Sequence, residues 1–566
     1  MSNVLTIQDV IKLEAFDGFL GSQFNIYNGK ILAFSRRVGS HAINKYGAHL
    51  LASGERGRLF LIDIETRELR HIEAPAGVGL FSPLWSPDGQ WIAMVAAGGS
   101  FLRPCVLDVE RSEFRFLTER NLVLDGEHPL RWIGDHEIAC RLLPPGDVPI
   151  YLDSESRGPT TAMMIWPKAW AGDVPTFSVF NSSSSLGAEP EGDLCIIDLN
   201  AGNVYFPECE ADVPERFRAF AKRADANSPS TSQAKDERLP VHSEEVASHL
   251  ASGQMIYLSR DDDGTRLWQA TKDRVDLLLE FDTHLARVKS GSFRTLEFER
   301  PGGAKALVRC ILPPDYCEGE ARPAVTWVYP GTDVTLAVPS YQRVNCPGFF
   351  NLQLLAAQGY VVIVPAIPVD EKARAGREII ECLAEAVLPA VAAVCAAGLI
   401  DREHVHVFGQ SMGGWAALAL LAETSVFRSG IVMASISNLI SAHGQFDVRF
   451  RYGDKSDAYL NSSQMVEEYW HLPGPPWQHV QRYVRNSPLF AVDKISAPVL
   501  MFHGDQDPVQ MAQAEEMFNA LRKAGKEVEF VRYWGEGHIL SSPANIQDAW
   551  KRILTWLKAY ELSQNS

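Results

Sequence analysis

Apolar and polar positions alternate with two different periods along this chain. Up to about residue 290 the apolar residues come in short runs of period two, each closed by a polar turn, as half-buried strands are. GRLFLIDIETRELRHI (57–72), PCVLDVERSEFRFL (104–117) and DLCIIDLNAGNVYF (193–206) share one scheme. An apolar run ends on an aspartate, a polar turn follows, and a second run begins. Asp63, Asp108 and Asp198 stand 45 and 90 residues apart, one and two units of one period. A period of about 40 to 45 residues is that of a four-stranded propeller blade. A two-sheet sandwich with coincidental spacing is the alternative.

From about residue 295 the pattern changes. Strand-like runs now alternate with helical ones: AVTWVYPG, FFNLQLLAAQGYVVIVPAIP, an Ala-rich helix, HVHVFG and GWAALALLAET, then GIVMAS, APVLMFHG, AQAEEMFNALRKAG, VEFVRYWG and DAWKRILTWLKAYEL. This alternation predicts a mostly parallel sheet with helices on both faces. The expected organisation is a β-propeller of six or seven blades over 1–290 and an α/β domain over 291–566. Residues 210–245, charged and rich in Ser, Asn and Pro, read as an exposed insertion between blades.

Bulk properties narrow the picture only a little. A length of 566 residues suits more than one domain, and 46% hydrophobic with 22% charged residues is ordinary globular composition. Fifty-three basic against 70 acidic residues give a formal charge of -17, which disfavours nucleic acid or an anionic membrane as partner. Nine scattered cysteines without a CxxC pair suggest thiols in a reducing compartment, not a disulfide framework or a zinc site. The start, MSNVLTIQDVIKLEAFDG, lacks the basic-then-apolar form of a signal peptide, and the apolar run from Ala386 falls short of a membrane span. A cytoplasmic protein is expected, with homo-oligomers left open.

The chemistry lies in HVHVFGQSMGGWAALALL (404–421). Gly409-Gln410-Ser411-Met412-Gly413 between a strand and a helix fits the G-x-S-x-G nucleophile elbow, which makes the second domain an α/β-hydrolase. Side chains two positions either side of a serine on so sharp a bend would collide, and glycine removes them. A serine hydroxyl needs a base, and the base needs an orienting carboxylate. Both follow in the required order: APVLMFHGDQDPV carries Asp507, with Asp505 as the rival, and VRYWGEGHIL carries His538. His404 and His406 alternate along the preceding strand and read as structural, with no metal site expected.

At these residues the chain resembles the prolyl oligopeptidase family of serine peptidases, nearest its acylaminoacyl-peptidase and glutamyl-endopeptidase-like branch. FSPLWSPDGQWIAMVAA (81–97) resembles that family's propeller repeat, and RYVRNSPLFAVDKISAPVL its approach to the acid strand. The resemblance implies that Tyr329, in TWVYPGT, forms the oxyanion hole with the Met412 backbone N–H. It also places Trp415 at the wall of the first specificity pocket, with a core aromatic as the alternative. AIPVDEKARAGRE stands where the family has an R-G-S-x-G run, so that loop is not carried over. Val509 falls one place early after the acid.

The expected function is a serine peptidase acting on short peptides without a cofactor, its propeller keeping folded proteins out. Esterases, isopeptidases and acyltransferases or cyclases use the same residues, and a catalytically dead binding module is a rival of another class. Arg449 and Arg451 are candidates to receive a substrate carboxylate, or else a structural pair.

Overall fold

The computed structural model describes residues 3–16, 22–42, 56–98, 101–123, 129–149, 166–173, 192–207, 238–240, 243–369, 377–445 and 462–562. The chain divides into two compact units. One comprises Lys12–Val179 and Gly187–Ala286, and the other Met1–Ile11, Phe180–Leu186 and Arg287–Ser566. The change of unit at Ala286/Arg287 lies close to the expected boundary at 290/291. The first eleven residues, however, belong with the C-terminal unit: Asn3 and Val4 pair in parallel with Val288 and Lys289, and Gln8 bonds Gln547.

The N-terminal unit is built of antiparallel four-stranded sheets, four of them among the described residues. They are Phe24–Tyr27 to Leu69–Ile72, Gly79–Trp85 to Glu113–Phe116, Leu130–Trp132 to Asn203–Tyr205, and Ser243–His249 to Val275–Phe281. The expected six or seven blades are not reached among these residues. Each repeated aspartate ends the third strand of its sheet and accepts backbone N–H groups of the turn that follows. Asp63 takes those of Glu65 and Thr66, Asp108 that of Arg111, and Asp198 those of Asn200 and Ala201. A short carboxylate reaching two or three residues on is an Asx-type turn, so the motif recurs for a geometric reason.

The spacing needs one correction. Asp108 and Asp198 lie in successive described sheets. Glu137–Leu142 pairs directly with Asp193–Asp198, so the 90-residue spacing spans one step between described sheets and not two. The expected insertion falls mostly outside the described residues, although Ser243–Glu245 already belong to a strand. The first and fourth sheets share a core through Phe34, Phe60, Ile256, Leu258 and Phe281, and Glu14 N donates to Asp282 Oδ1. Sheets packed face to face, with the last against the first, match the propeller expected from the pattern.

The C-terminal unit is organised by one eight-stranded sheet. Its strands are β1 (Ser292–Glu299), β2 (Lys305–Leu312), β3 (Arg322–Trp327), β4 (Val361–Pro365), β5 (Ile400–Gln410), β6 (Gly430–Met433), β7 (Val499–Gly504) and β8 (Val528–Tyr533), in the spatial order β1-β2-β4-β3-β5-β6-β7-β8. β1 and β2 are antiparallel to their neighbours, and the six from β4 to β8 run parallel. Val361 to Val364 are fully buried on both faces of the pleat, as parallel strands covered by helices must be. The main helices are α1 (Ile379–Ala396), α2 (Met412–Glu423), α3 (Met511–Lys523) and α4 (Pro543–Leu562). α1, at 18 residues with mean hydropathy 2.0, is long and apolar enough for a membrane span, whereas the run from Ala386 alone is not. Leu383, Val387, Ala390 and Val394 bury it against the sheet.

Candidate active site

β5 runs buried from Val405 to Gln410 and stops at Ser411, whose φ of 57° and ψ of -122° lie outside ordinary strand and helix geometry. Only tight surroundings hold a serine there. A Cβ on Gly409 would stand 2.0 Å from the Gly413 carbonyl oxygen, and one on Gly413 would stand 2.3 Å from that of Val328. The glycines therefore let two turns of backbone touch. Ser411 N donates to Met433 O at 2.9 Å, and Trp415 N to Ser411 O at 3.1 Å, joining the bend to β6 and α2. Met412 opens α2, so its N–H has no partner within the helix and the helix dipole adds positive potential there.

The parallel sheet delivers two loops at the carboxyl ends of β7 and β8. His538 Nδ1 lies 2.8 Å from Asp507 Oδ1, and the Asp507 side chain is wholly buried. The same Asp507 oxygen accepts Val509 N at 2.7 Å. A buried carboxylate on Nδ1 fixes that proton and leaves Nε2 as the basic nitrogen. Asp505 does something else: its Oδ1 accepts Gly535 N at 2.7 Å, fastening the histidine loop to its neighbour. Gln410, the variable residue of the elbow, donates from Nε2 to His538 O at 3.2 Å. Sequence reasoning passed over Gln410, and nothing in its residue type signals the role.

Tyr329 follows β3, remains 37% exposed, and its phenol is close enough to the Ser411 hydroxyl to feel it electrostatically. Burial pushes its phenol up, Tyr469 nearby adds to the rise, and the Ser411 hydroxyl opposes it. The phenol thus stays a proton donor. Trp415 is a correction: it is fully buried, donates Nε1–H to Asn486 O at 2.7 Å and meets Trp470 edge to face, so it offers no wall to a substrate. Arg449 and Arg451 lie outside the described residues.

His404 and His406 bond Asp401 and Ser429, each at 2.8 Å. Among the described residues no cluster of three or more His, Cys, Asp or Glu could hold a metal. An imidazole oriented by a buried carboxylate, on a loop bonded to a serine elbow, is chemically suited to general base work.

Comparison with known proteins gives a family match and a fold likeness. The profile of the prolyl oligopeptidase family matches residues 348–563. The uncharacterized peptidase YuxL of Bacillus subtilis is 29% identical over 222 residues, 36% of this chain and 30% of that protein. A probable chloroplastic glutamyl endopeptidase of Arabidopsis thaliana is 24% identical over 408 residues, 69% of this chain and 38% of that protein. The chain thus spans about a third of the length of these relatives. Among solved structures, the Pyrococcus horikoshii acylaminoacyl peptidase superposes with a TM-score of 0.58 at 12% identity, over 98% of this chain and 97% of that one. The AtxE2 isopeptidase gives 0.58 at 14%, over 100% and 97%. Those two likenesses concern the fold, a propeller followed by an α/β-hydrolase.

Proposed function

Since residues 348–563 form a prolyl oligopeptidase family domain, we propose that the chain is a serine peptidase that cleaves amide bonds of short peptides through Ser411, His538 and Asp507. His538 Nε2 takes the Ser411 proton as Oγ attacks the carbonyl carbon. The oxyanion forms between the Tyr329 hydroxyl and the Met412 N–H, each donor worth about 3 kcal/mol in such sites. Asp507 stabilises the imidazolium without taking its proton. The tetrahedral species collapses, the scissile C–N bond breaks, and the amine leaves with the proton from His538. Water, deprotonated by the same nitrogen, then attacks the acyl-serine and frees the acid and Ser411.

The observation that carries this reading is the 2.8 Å contact between His538 Nδ1 and the buried Asp507 carboxylate, beside a strained serine elbow. A fluorophosphonate probe tests it directly. Ser411 in the wild type is expected to be labelled and to turn over short peptide amides, while Ser411→Ala does neither. An unlabelled wild-type protein would end the proposal. The reading further assigns to the propeller a limit on substrate size.

A further inference from the structure

We infer that Glu536 is a positioning residue that sets the place of His538; the inference rests on the catalytic reading above. Glu536 is only 2% exposed, and a buried carboxylate is costly unless its oxygens are satisfied. Here five donors converge on it. Oε2 accepts Ser541 N at 2.8 Å and Ser541 Oγ at 3.1 Å. Oε1 accepts Ser542 N at 3.1 Å, Asn545 Nδ2 at 2.7 Å and the Ser542 hydroxyl. The donors come from the segment leading into α4 and from that helix's first turn, where the dipole also favours an anion.

Glu536 precedes His538 by two residues and Ser541 follows it by three, so the carboxylate closes a ring of chain around the imidazole's own backbone. The main chain of Glu536 does a second job. Its carbonyl accepts Gln506 N at 3.0 Å, from the loop that carries Asp507. Gly504 makes that approach possible, because a Cβ there would lie 2.2 Å from the Glu536 oxygen. One residue thus joins the base loop, the acid loop and the start of α4. Placement at this level matters, since an error of about 1 Å in a reacting group costs on the order of 100-fold in rate.

The test compares wild type, Glu536→Gln and Glu536→Asp, with His538→Ala as control, reading kcat per labelled active site, KM and the rate of fluorophosphonate labelling. Both Glu536 variants are expected to lose about 10- to 100-fold in kcat, with KM held within about threefold and labelling slowed in parallel. Glu536→Asp keeps the charge and shortens the reach. Full activity in that variant beside a defect in Glu536→Gln would show a charge effect and overturn the inference, as would unchanged kcat in both or a loss confined to KM or stability. If neither variant folds, Ser541→Ala and Asn545→Ala remove single partners; kcat must then fall about 3- to 10-fold at constant KM, and unchanged kcat overturns the inference. A wild type that is not labelled, or a His538→Ala that is as fast as wild type, would instead sink the catalytic reading itself.

Discussion

Asp505 and Asp507 sit two positions apart in one loop, and their neighbours give them separate tasks. Asp507 faces an imidazole from a fully buried position, whereas Asp505 receives a backbone N–H of the adjoining loop. We expect Asp507→Asn to lower kcat by about 10⁴-fold, because the amide favours the wrong imidazole tautomer. Asp505→Ala should cost far less, about tenfold at most, since only the loop's fastening is lost. Equal losses in steady-state kinetics would refute this division. The sequence alone could not separate the two, because either lies on a loop after a strand and burial is set by the completed fold. Trp415 shows the same limit. The residue after paired glycines could be a pocket wall or a core aromatic, and α2 turns it into the core, where its indole N–H meets Asn486.

Secondary elements were the most legible level, and β5 with α2 was the clearest part. Its glycines could be read as contact points before any coordinate, since a bend of that sharpness leaves no room for Cβ atoms. Gly409→Ala is therefore expected to abolish fluorophosphonate labelling and to lower Tm by several degrees, because backbone must move to relieve a 2.0 Å approach. Retained labelling at wild-type Tm would contradict the packing described for the elbow. β5 also carries an acid weakness. Burial, with His404 and Arg428 adding to it, holds His406 down at about 3 against an ordinary 6.5. Unfolded chain then binds more protons than folded chain between those values. This contribution is complete above about pH 6.5 and is lost as pH falls toward 3. His406→Gln should flatten the decline in urea stability between about pH 6.5 and 4, and an unchanged slope would rule the residue out as its cause. The repeated aspartates were legible as a pattern but not as a ruler, because strands that pair directly can be far apart in sequence, as Glu137–Leu142 and Asp193–Asp198 are.

At the scale of the molecule, the two-part architecture and the order of its parts followed from the switch of hydrophobic period near residue 290. The return of the first eleven residues to the C-terminal unit did not, since a four-residue helix and a two-residue strand carry no period to read. If the propeller limits substrate size as proposed, a library of peptides up to about 20 residues should be digested while a stably folded protein of similar sequence content survives. Cleavage of both at matching rates, followed by mass spectrometry, would refute that role.

The pairing of Asn3–Val4 with Val288–Lys289 also sets a timetable for biosynthesis. Asn3 and Val4 are made some 285 residues before their partner strand, an interval of about 15 to 60 s at ordinary elongation rates. Throughout that interval the segment that holds the buried Leu5 and Val10 waits for its partner strand while the β-rich residues between them are made. Nascent-chain proteolysis should find residues 3–10 open until the C-terminal unit emerges, so an early-made strand is among the last to be secured.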